Sequence, residues 1–456
     1  GTWESSEEDE LLQEKFWKHF PNGMENFAES YQEIRSRMGT SFLRNYEKLL
    51  NEPNLIDYSK YNREHKGDEL GINESHNEIA LSLSLLQKFS LNRNLERLNM
   101  LSRTFSSFDF NRITRFLMKV WIELISLLLI PFGLISYAFI LLINPWVQIR
   151  IGKFQSERIG HLSANMELYL CEKEMPQEKK SNRKIDLWYH GYPISNKQLA
   201  KMWNRILYVF PRIFLAPLDN VISLISHNNI HRISEYENFD TDRDVNNFLD
   251  NSEPHLSFTP KEEKRGEAKL RAMGIPQGSP FVLLIVRDSA YLEKKLPWRS
   301  WSYHDYRDCN VQNYVLAAKE LADRGYYVIR MGQMVKEPMD VDHPMIIDYA
   351  TNGMRTDFMD IYLGAKCTFC ISNGTGYEGI PYIFRKPILF VDHVPLGDIN
   401  TYNTKHIIVT KKHWSKTENR FLTFQEIFDS AANYQKTEQF ENSNINLIES
   451  SPEEIQ

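Results

Sequence analysis

The residues best placed to do chemistry form a short glycine-containing loop, which follows an apolar run that predicts a buried strand. Its five residues are Ser372, Asn373, Gly374, Thr375 and Gly376. Small residues at the end of a strand let backbone N–H groups approach a phosphate, and the helix predicted next adds a favourable partial charge. An ordinary tight turn would also contain glycine, but the position directly after a buried strand favours a phosphate site. The loop is neither a Walker loop nor a G-x-G-x-x-G fingerprint, because Gly379 falls at the wrong offset.

Charged and polar side chains follow the neighbouring predicted strands. Arg287 comes directly after an apolar strand predicted at residues 281–286, and Arg330 ends the next strand. Because the carboxyl ends of parallel strands share one edge of a sheet, we expect both arginines beside the glycine loop, where a pyrophosphate would accept paired hydrogen bonds. The residues predicted to bind a phosphorylated ligand, besides the loop itself, are Arg287, Tyr291, Arg307, Arg330 and Gly332. Tyr291 and Arg307 are included because they lie in the long loop after the first of these strands.

Two residues are candidates for proton transfer. His161 lies just after a predicted strand, next to Gly160, which would let a substrate approach closely. A neutral imidazole accepts a proton at physiological pH, although a helix-capping role explains His161 about as well. Asp288 is a second candidate base, but ordering Arg287 is the simpler interpretation of adjacent acidic and basic residues at a strand end.

The composition narrows the classes of function. The 456 residues are 42% hydrophobic and 12% aromatic, enough for several packed domains, so wholesale disorder is excluded. A net charge of -6 leaves no global basic field, which disfavours nucleic-acid binding. The lone C-x-x-C at Cys367 and Cys370 lies in an apolar run, which favours buried thiols over zinc or redox chemistry. We predict no metal centre, because no D-x-D is flanked by strands, and we expect no bound cofactor.

The elements that must position these residues predict an α/β fold. Apolar strands alternate with helices from about residue 146 to 430, which indicates parallel sheets covered on both faces. A linker near residue 255 divides this region into two Rossmann-like lobes, residues 146–255 and 256–430. We expect a cleft between the two lobes. Capping boxes predict helix starts at Ser195 and Thr259.

The two ends of the chain read differently. Residues 1–110 carry apolar side chains at helical spacing and predict a helical region that docks on the rest of the chain or on a protein partner. Residues 431–456 are polar and charged, and we expect a disordered tail there.

A third segment, residues 111–145, is predicted to associate with a membrane. Its core, 124–143, is a run of twenty residues without a charge, just long enough to cross a bilayer. Pro131 and Gly133 sit in its middle, where they could kink a helix or turn a shallow hairpin. Both flanks are basic, so the charges fit a span and a monotopic insertion equally well. A buried core helix is the alternative, which the length of the run makes less favoured.

Several motifs occur in an order that resembles a known family. They are IRIGKFQSERIGHL (149–162), ISNKQLAKMW (194–203), VRDSAYL (286–292), YRDCNVQNY (306–314), GYYVIRMG (325–332) and TFCISNGTGYEGIPYIFRKPIL (368–389). The family consists of glycosyltransferases that occur with bacterial surface-polysaccharide biosynthesis genes, and its fold resembles the GT-B class. The resemblance covers about residues 146–430 and leaves out the N-terminal helical region.

This resemblance implies transfer of a sugar from a nucleotide-activated donor, held by the C-terminal lobe, to an acceptor held mainly by the N-terminal lobe. The acceptor would be a glycan or a lipid-linked molecule, and no bound metal is needed. The enzyme would work at the cytoplasmic face of the bacterial inner membrane. The resemblance supplies no catalytic residues, so the roles of His161 and Asp288 rest on the residues alone.

Two other classes of function stay open. One is a different enzyme on the same fold, such as a nucleotide-sugar epimerase or a pyruvyl-type transferase, since fold alone does not separate these. A glycosyltransferase should release nucleotide only when acceptor is present, whereas an epimerase needs no acceptor. The other class is a non-catalytic membrane scaffold, which would tolerate the loss of Arg287, Arg330 and Gly374.

Overall fold

The computed structural model describes residues 128–175, 183–225, 230–233, 244, 246–295, 300–398 and 404–456. The predictions for residues 1–110, and for the part of the hydrophobic segment before residue 128, lie outside the described residues. Helices and strands are numbered in chain order along the described part of the chain.

The first lobe is built on a parallel sheet. Its elements are α1 (Ile130–Ile143), β1 (Val147–Phe154), α2 (Ile159–Glu174), β2 (Arg183–His190), α3 (Lys197–Ile206), β3 (Tyr208–Val209) and α4 (Arg212–Ile225). The strands lie in the order β1-β2-β3, and Trp188 and Trp203 are fully buried beneath the helices. The predicted cap at Ser195 is wrong by one residue. Asn196 begins α3, because its side-chain oxygen accepts a hydrogen bond from the backbone N–H of Leu199 at 2.9 Å.

Helix α1 covers the second half of the hydrophobic run and packs against α4. A Cβ at Gly133 would lie 2.8 Å from the carbonyl oxygen of Pro217, so only glycine permits this approach. Tyr137 and Ile140 are buried in the contact, whereas the other faces of the helix leave large apolar side chains exposed. In the described part of the chain, no helix is both long and apolar enough to cross a membrane.

The second lobe carries a longer parallel sheet. Its elements are α5 (Pro260–Ala272), β4 (Phe281–Ile285), α6 (Ala290–Lys295), 3-10 turns at Ser302–Arg307 and Val311–Tyr314, α7 (Val315–Asp323), β5 (Tyr327–Met331), β6 (Ile346–Asp348), α8 (Asp357–Lys366), β7 (Phe369–Ser372), α9 (Gly379–Ile383), β8 (Ile388–His393), a 3-10 turn at Leu396–Asp398, and β9 (His406–Thr410). The capping box at Thr259 is confirmed, with Glu262 as its partner. Cys367 and Cys370 are both fully buried, as expected.

The strand order of this sheet creates a switch point. The strands lie in the order β6-β5-β4-β7-β8-β9, and every neighbouring pair is parallel. The chain therefore starts in the middle, adds strands on one side and then returns to build the other side. In such sheets a crevice opens between the two central strands, here β4 and β7, at their carboxyl ends. Two lobes with parallel sheets confirm the predicted α/β class.

The end of the chain is folded, which overturns the expected disordered tail. The remaining elements are β10 (Lys412–Ser415), β11 (Arg420–Phe421), α10 (Phe424–Ser430), α11 (Thr437–Asn442), β12 (Ile445–Ile448) and α12 (Pro452–Ile455). β12 pairs antiparallel with β10, and Phe440 and Ile445 are buried. Their apolar partners lie earlier in the second lobe, so local polarity gave no indication of this packing.

A buried ion pair joins the two lobes. Arg385, just after α9, places Nη2 at 2.6 Å from the carboxylate of Glu167 on α2, which is inaccessible to solvent. The same guanidinium donates to the backbone oxygens of Ser252 and Glu253 in the linker. His255 also binds the Glu167 carboxylate, with Nδ1 at 3.0 Å. Arg385 has a φ of 58°, a costly conformation for a non-glycine residue, which these contacts hold in place.

Candidate functional site

The predicted binding residues Arg287, Arg307, Asn373 and Gly374 meet at the switch point. The side chain of Asn373 joins the loops that carry them. Its oxygen accepts a hydrogen bond from the backbone N–H of Arg287 at 2.9 Å, and its nitrogen donates to the carbonyl oxygen of Arg307 at 3.2 Å. The loops after β4 and β7 are therefore fixed to each other at the point where a parallel sheet of this order binds ligands.

Two guanidinium groups lie close together in this crevice. Arg307 donates from Nη2 to the carbonyl oxygen of Gly374 at 2.6 Å, and its buried Nε has no hydrogen-bond partner among the described residues. Arg287 pairs with Asp308, with 3.2 Å between Nε and the carboxylate. Burial lowers the pKa of Arg287, and the positive charge of Arg307 lowers it further. Two repelling cations with an unused N–H donor form a site that an anion would stabilise.

The glycine loop is ordered by an acidic residue that the sequence analysis missed. The carboxylate of Glu378 accepts from the backbone N–H and the hydroxyl of Thr375, both at 2.7 Å, and from the hydroxyl of Ser372 at 3.3 Å. Burial raises the pKa of Glu378. Helix α9 begins only at Gly379 and has five residues, so its dipole adds little. The phosphate-binding capacity therefore lies on the Gly374 side of the loop, with the arginines.

Gly160 and Gly376 serve the contact between lobes. A Cβ at Gly160 would lie 3.0 Å from the carbonyl oxygen of Gly376, so Gly160 meets the second lobe rather than the predicted substrate. A Cβ at Gly379 would lie 2.4 Å from Oγ of Ser163 on α2. His161 is the third residue of α2 and is 8% exposed, so it does not cap the helix. His161 follows Gly160 in the sequence, beside the contact between the lobes, and its role as a base stays a prediction.

Arg330 and Gly332 make contacts within the second lobe in place of the predicted ligand contacts. The side chain of Arg330 is 1% exposed, and its Nη1 donates to the carbonyl oxygen of Glu337 at 2.8 Å and to the carboxylate of Asp348 at 3.1 Å. The structure thus gives Arg330 an internal ion pair in place of the predicted phosphate contact. A Cβ at Gly332 would lie 2.6 Å from Val335, so this glycine serves packing.

Asp288 and Tyr291 follow β4 on the same side of the sheet as Arg287. The two carboxylate oxygens of Asp288 accept from the backbone N–H groups of Ala290 and Lys336, each at 2.9 Å. Asp288 therefore orders two loops, while the carboxylate that pairs with Arg287 is that of Asp308. Tyr291 is partly exposed, and burial raises the pKa of its phenol.

A second residue missed by the sequence analysis, His393, ends β8 beside the loop. Its ring lies next to Gly374 and to the Arg307 guanidinium. Burial lowers the pKa of His393, and the positive charge of Arg307 lowers it further. The sequence carries a signal, because the apolar run at residues 387–391 favours a strand and Asp392 and His393 follow it. His393 stands after this strand much as Arg287 stands after its own, so the same pattern indicates both residues.

Within the described residues, two groups of three side chains have metal-ligating atoms that lie within 4.8 Å of one another. They are Glu167, Cys171 and His255, and Cys309, Asp392 and Glu449. Each group already holds a cation: Arg385 lies 2.6 Å from the Glu167 carboxylate, and Lys411 lies 3.7 Å from that of Glu449. Neither arrangement favours a metal centre.

No family model matches the chain, and no curated protein matches it. Among solved structures, it is similar to a family 9 glycosyltransferase from Veillonella parvula DSM 2008, with 10% identity and a TM-score of 0.35. That match covers 57% of this chain and 86% of the other. It is also similar to ADP-heptose LPS heptosyltransferase II from E. coli, with 12% identity and a TM-score of 0.34. That match covers 57% of this chain and 90% of the heptosyltransferase. A third similar structure is S. aureus MnaA with UDP, with 12% identity and a TM-score of 0.24. That match covers 67% of this chain and 92% of MnaA. Because these TM-scores lie below 0.5, the similarities do not identify the function of this chain.

Proposed function

We propose that this chain is a GT-B-type glycosyltransferase that moves a sugar from a nucleotide-activated donor to a glycan or lipid-linked acceptor in bacterial surface-polysaccharide synthesis. The observation that carries the proposal is the anion site at the switch point of the second lobe. There Arg307 donates to the carbonyl oxygen of Gly374 and lies near Arg287, and its Nε is an N–H donor that no described residue uses. The pyrophosphate of a nucleotide sugar presents the acceptor oxygens that such donors bind.

The first test is a thermal-shift panel of nucleotide sugars and nucleoside diphosphates on the full chain. A donor-binding enzyme should show a higher melting temperature with one nucleotide class at concentrations well above its Kd. If no nucleotide raises the melting temperature, the assignment of this site fails.

Turnover then separates the classes of function. A glycosyltransferase releases nucleoside diphosphate only after a suitable acceptor is added, whereas an epimerase interconverts the sugar of the donor without one. A scaffold would bind without turnover and would keep its role after loss of the two arginines. No specific observation favours either alternative over transfer.

His161 is proposed as the base, or as an acceptor-orienting group, on the first-lobe side of the contact between Gly160 and Gly376. An inverting transfer needs a group that accepts the proton of the attacking hydroxyl, and a positioned imidazole contributes about a hundredfold or more. His161→Ala should lower kcat by about that factor and leave donor affinity nearly unchanged.

The measurement is turnover at saturating acceptor, with the melting temperature as a check that the variant is folded, because His161 is buried. Wild-type turnover in a folded variant would show that His161 is structural. Asp288 would then be the next candidate.

We further propose that the first lobe rests on the cytoplasmic surface of a bacterial inner membrane through α1, β3 and α4. Of the twenty-three large apolar side chains that are exposed in the described part of the chain, eight lie in residues 128–146 and six in 206–225. They include Phe132 and Phe214, whose rings lie 6.5 Å apart, and Trp146 at the end of α1. An exposed apolar face with aromatic side chains suits the bilayer interface, and a lipid-linked acceptor would be reached there.

Charges placed on this face should weaken membrane binding strongly. Ile135 and Phe139 are 72% and 60% exposed, so replacing both by Glu should leave the fold intact. Each large apolar side chain buried in lipid contributes about 1.5–3 kcal/mol, so losing two should weaken binding by about a hundredfold or more. Co-sedimentation with phosphatidylethanolamine and phosphatidylglycerol vesicles measures this. The matched control is Phe424→Glu, a charge at an equally exposed apolar position on α10; equal binding by both variants would exclude the proposed face.

A further inference from the structure

His393 is a buried histidine at the carboxyl edge of the second-lobe sheet. It is the last residue of β8 and is 8% exposed. The backbone of Asp398 interacts with the ring, but neither ring nitrogen makes a well-formed hydrogen bond within the described residues. Buried polar groups in native structures are almost always paired, so an unpaired one requires an explanation. A ligand group that reaches the ring would provide one.

The ring borders the anion site. Its Nδ1 lies 2.8 Å from the point where a Cβ at position 374 would stand, and Nη2 of Arg307 lies 3.5 Å from the same point. Gly374 has a φ of 87°, which glycine adopts readily and other residues do not. The absence of a side chain there lets the imidazole and the guanidinium approach each other over the glycine loop.

The charge state of the ring suits this position. Burial and the neighbouring Arg307 lower the pKa of His393 to about 4, against a small opposing effect of the Asp398 backbone. The ring is therefore neutral at physiological pH, with one N–H donor and one acceptor nitrogen. A neutral donor adds a hydrogen bond to an anion without adding a third positive charge beside Arg287 and Arg307.

We propose that His393 donates a hydrogen bond to a phosphate oxygen of a nucleoside diphosphate group bound between Arg307 and Gly374. This inference rests on the proposed function and adds a binding residue to that site. It also explains why a histidine is placed where the side chains of the described residues offer it no partner.

The experiment compares His393→Met with His393→Gln, two side chains of nearly equal length. Gln keeps an N–H donor, whereas Met has none. By calorimetry with ADP, UDP and inorganic pyrophosphate, the Met variant should bind about ten- to hundredfold more weakly than the wild type, and the Gln variant within about threefold of it. The melting temperature of the ligand-free Met variant should be unchanged or higher, because an unpaired polar group has been removed from the interior. His393→Leu replaces the Met variant if that protein does not fold.

The outcomes separate the two proposals. A folded apolar variant that binds the phosphate probes as tightly as the wild type, while Arg307→Met does not, overturns the role of His393 and leaves the anion site standing. An apolar variant that has a lower melting temperature but unchanged affinity for the phosphate probes also overturns the role of His393 and leaves the anion site standing. A wild-type protein that binds none of the three probes overturns the proposed function, and this inference with it.

Discussion

Replacing Arg287 and Arg307 together by Met should remove measurable nucleoside diphosphate binding. Hydrogen bonds to charged groups contribute about 1.5–3 kcal/mol each, so losing two should weaken binding by about 10²- to 10⁴-fold. Each single variant should bind the nucleoside diphosphate about ten- to hundredfold more weakly than the wild type. The two losses need not add, because the guanidinium groups repel each other in the ligand-free protein.

Calorimetry with the nucleotide identified by the thermal-shift panel measures these losses. The matched control is Arg324→Met, because Arg324 is exposed and pairs locally with Glu320, four residues earlier. That variant should bind like the wild type. Retained affinity in the folded double variant would place the donor elsewhere on the molecule.

Arg385→Met should destabilise the folded protein strongly, because it breaks the ion pair between the lobes. The Glu167 carboxylate would stay buried, with His255 as its remaining charged partner among the described residues. Removing one member of a buried ion pair typically costs about 3–5 kcal/mol. Chemical denaturation, followed by the fluorescence of the nine tryptophans, would detect this loss in the free energy of unfolding.

A double-mutant cycle tests the cause. Glu167→Leu combined with Arg385→Met removes both charges of the pair from the interior, so the double variant should be more stable than the sum of the single losses predicts. The exposed pair of Arg420 and Glu426 serves as the reference, and Arg420→Met should cost far less stability, because water already screens that pair. If the buried and exposed pairs cost the same, the interlobe pair does not hold the lobes together.

The strands and helix starts of the two lobes could be predicted because their signals are local. Phe281–Ile285 is fully buried and reads as a continuous apolar run, and Thr259 and Thr356 cap helices through residues three positions on. Local signals also placed Arg287 and the glycine loop at one edge of the sheet, since strand ends follow from strand positions.

The residues whose roles were predicted wrongly have contact partners that are distant in sequence. Arg330 lies within β5 and reaches Asp348 on the adjacent strand, a pairing that requires the strand order. Gly160 meets Gly376 across the lobes, more than two hundred positions along the chain. Disorder was predicted for residues 431–456 because they are mostly polar and charged, yet β12 pairs with β10 in a sheet. Local polarity carries no information about such long-range packing.

The segment that follows β12 also supports the anion site. Ser450 donates from its backbone N–H and its hydroxyl to the carboxylate of Asp392, the residue before His393, at 2.9 and 2.8 Å. Glu449 accepts from the backbone N–H of Asn310, three residues after Arg307. Domains form in order as a chain leaves the ribosome, with N-terminal parts first. The first lobe can therefore fold early in synthesis, whereas the anion site is completed only after residue 450 has emerged, so a nascent chain should not capture nucleotide before both lobes are made.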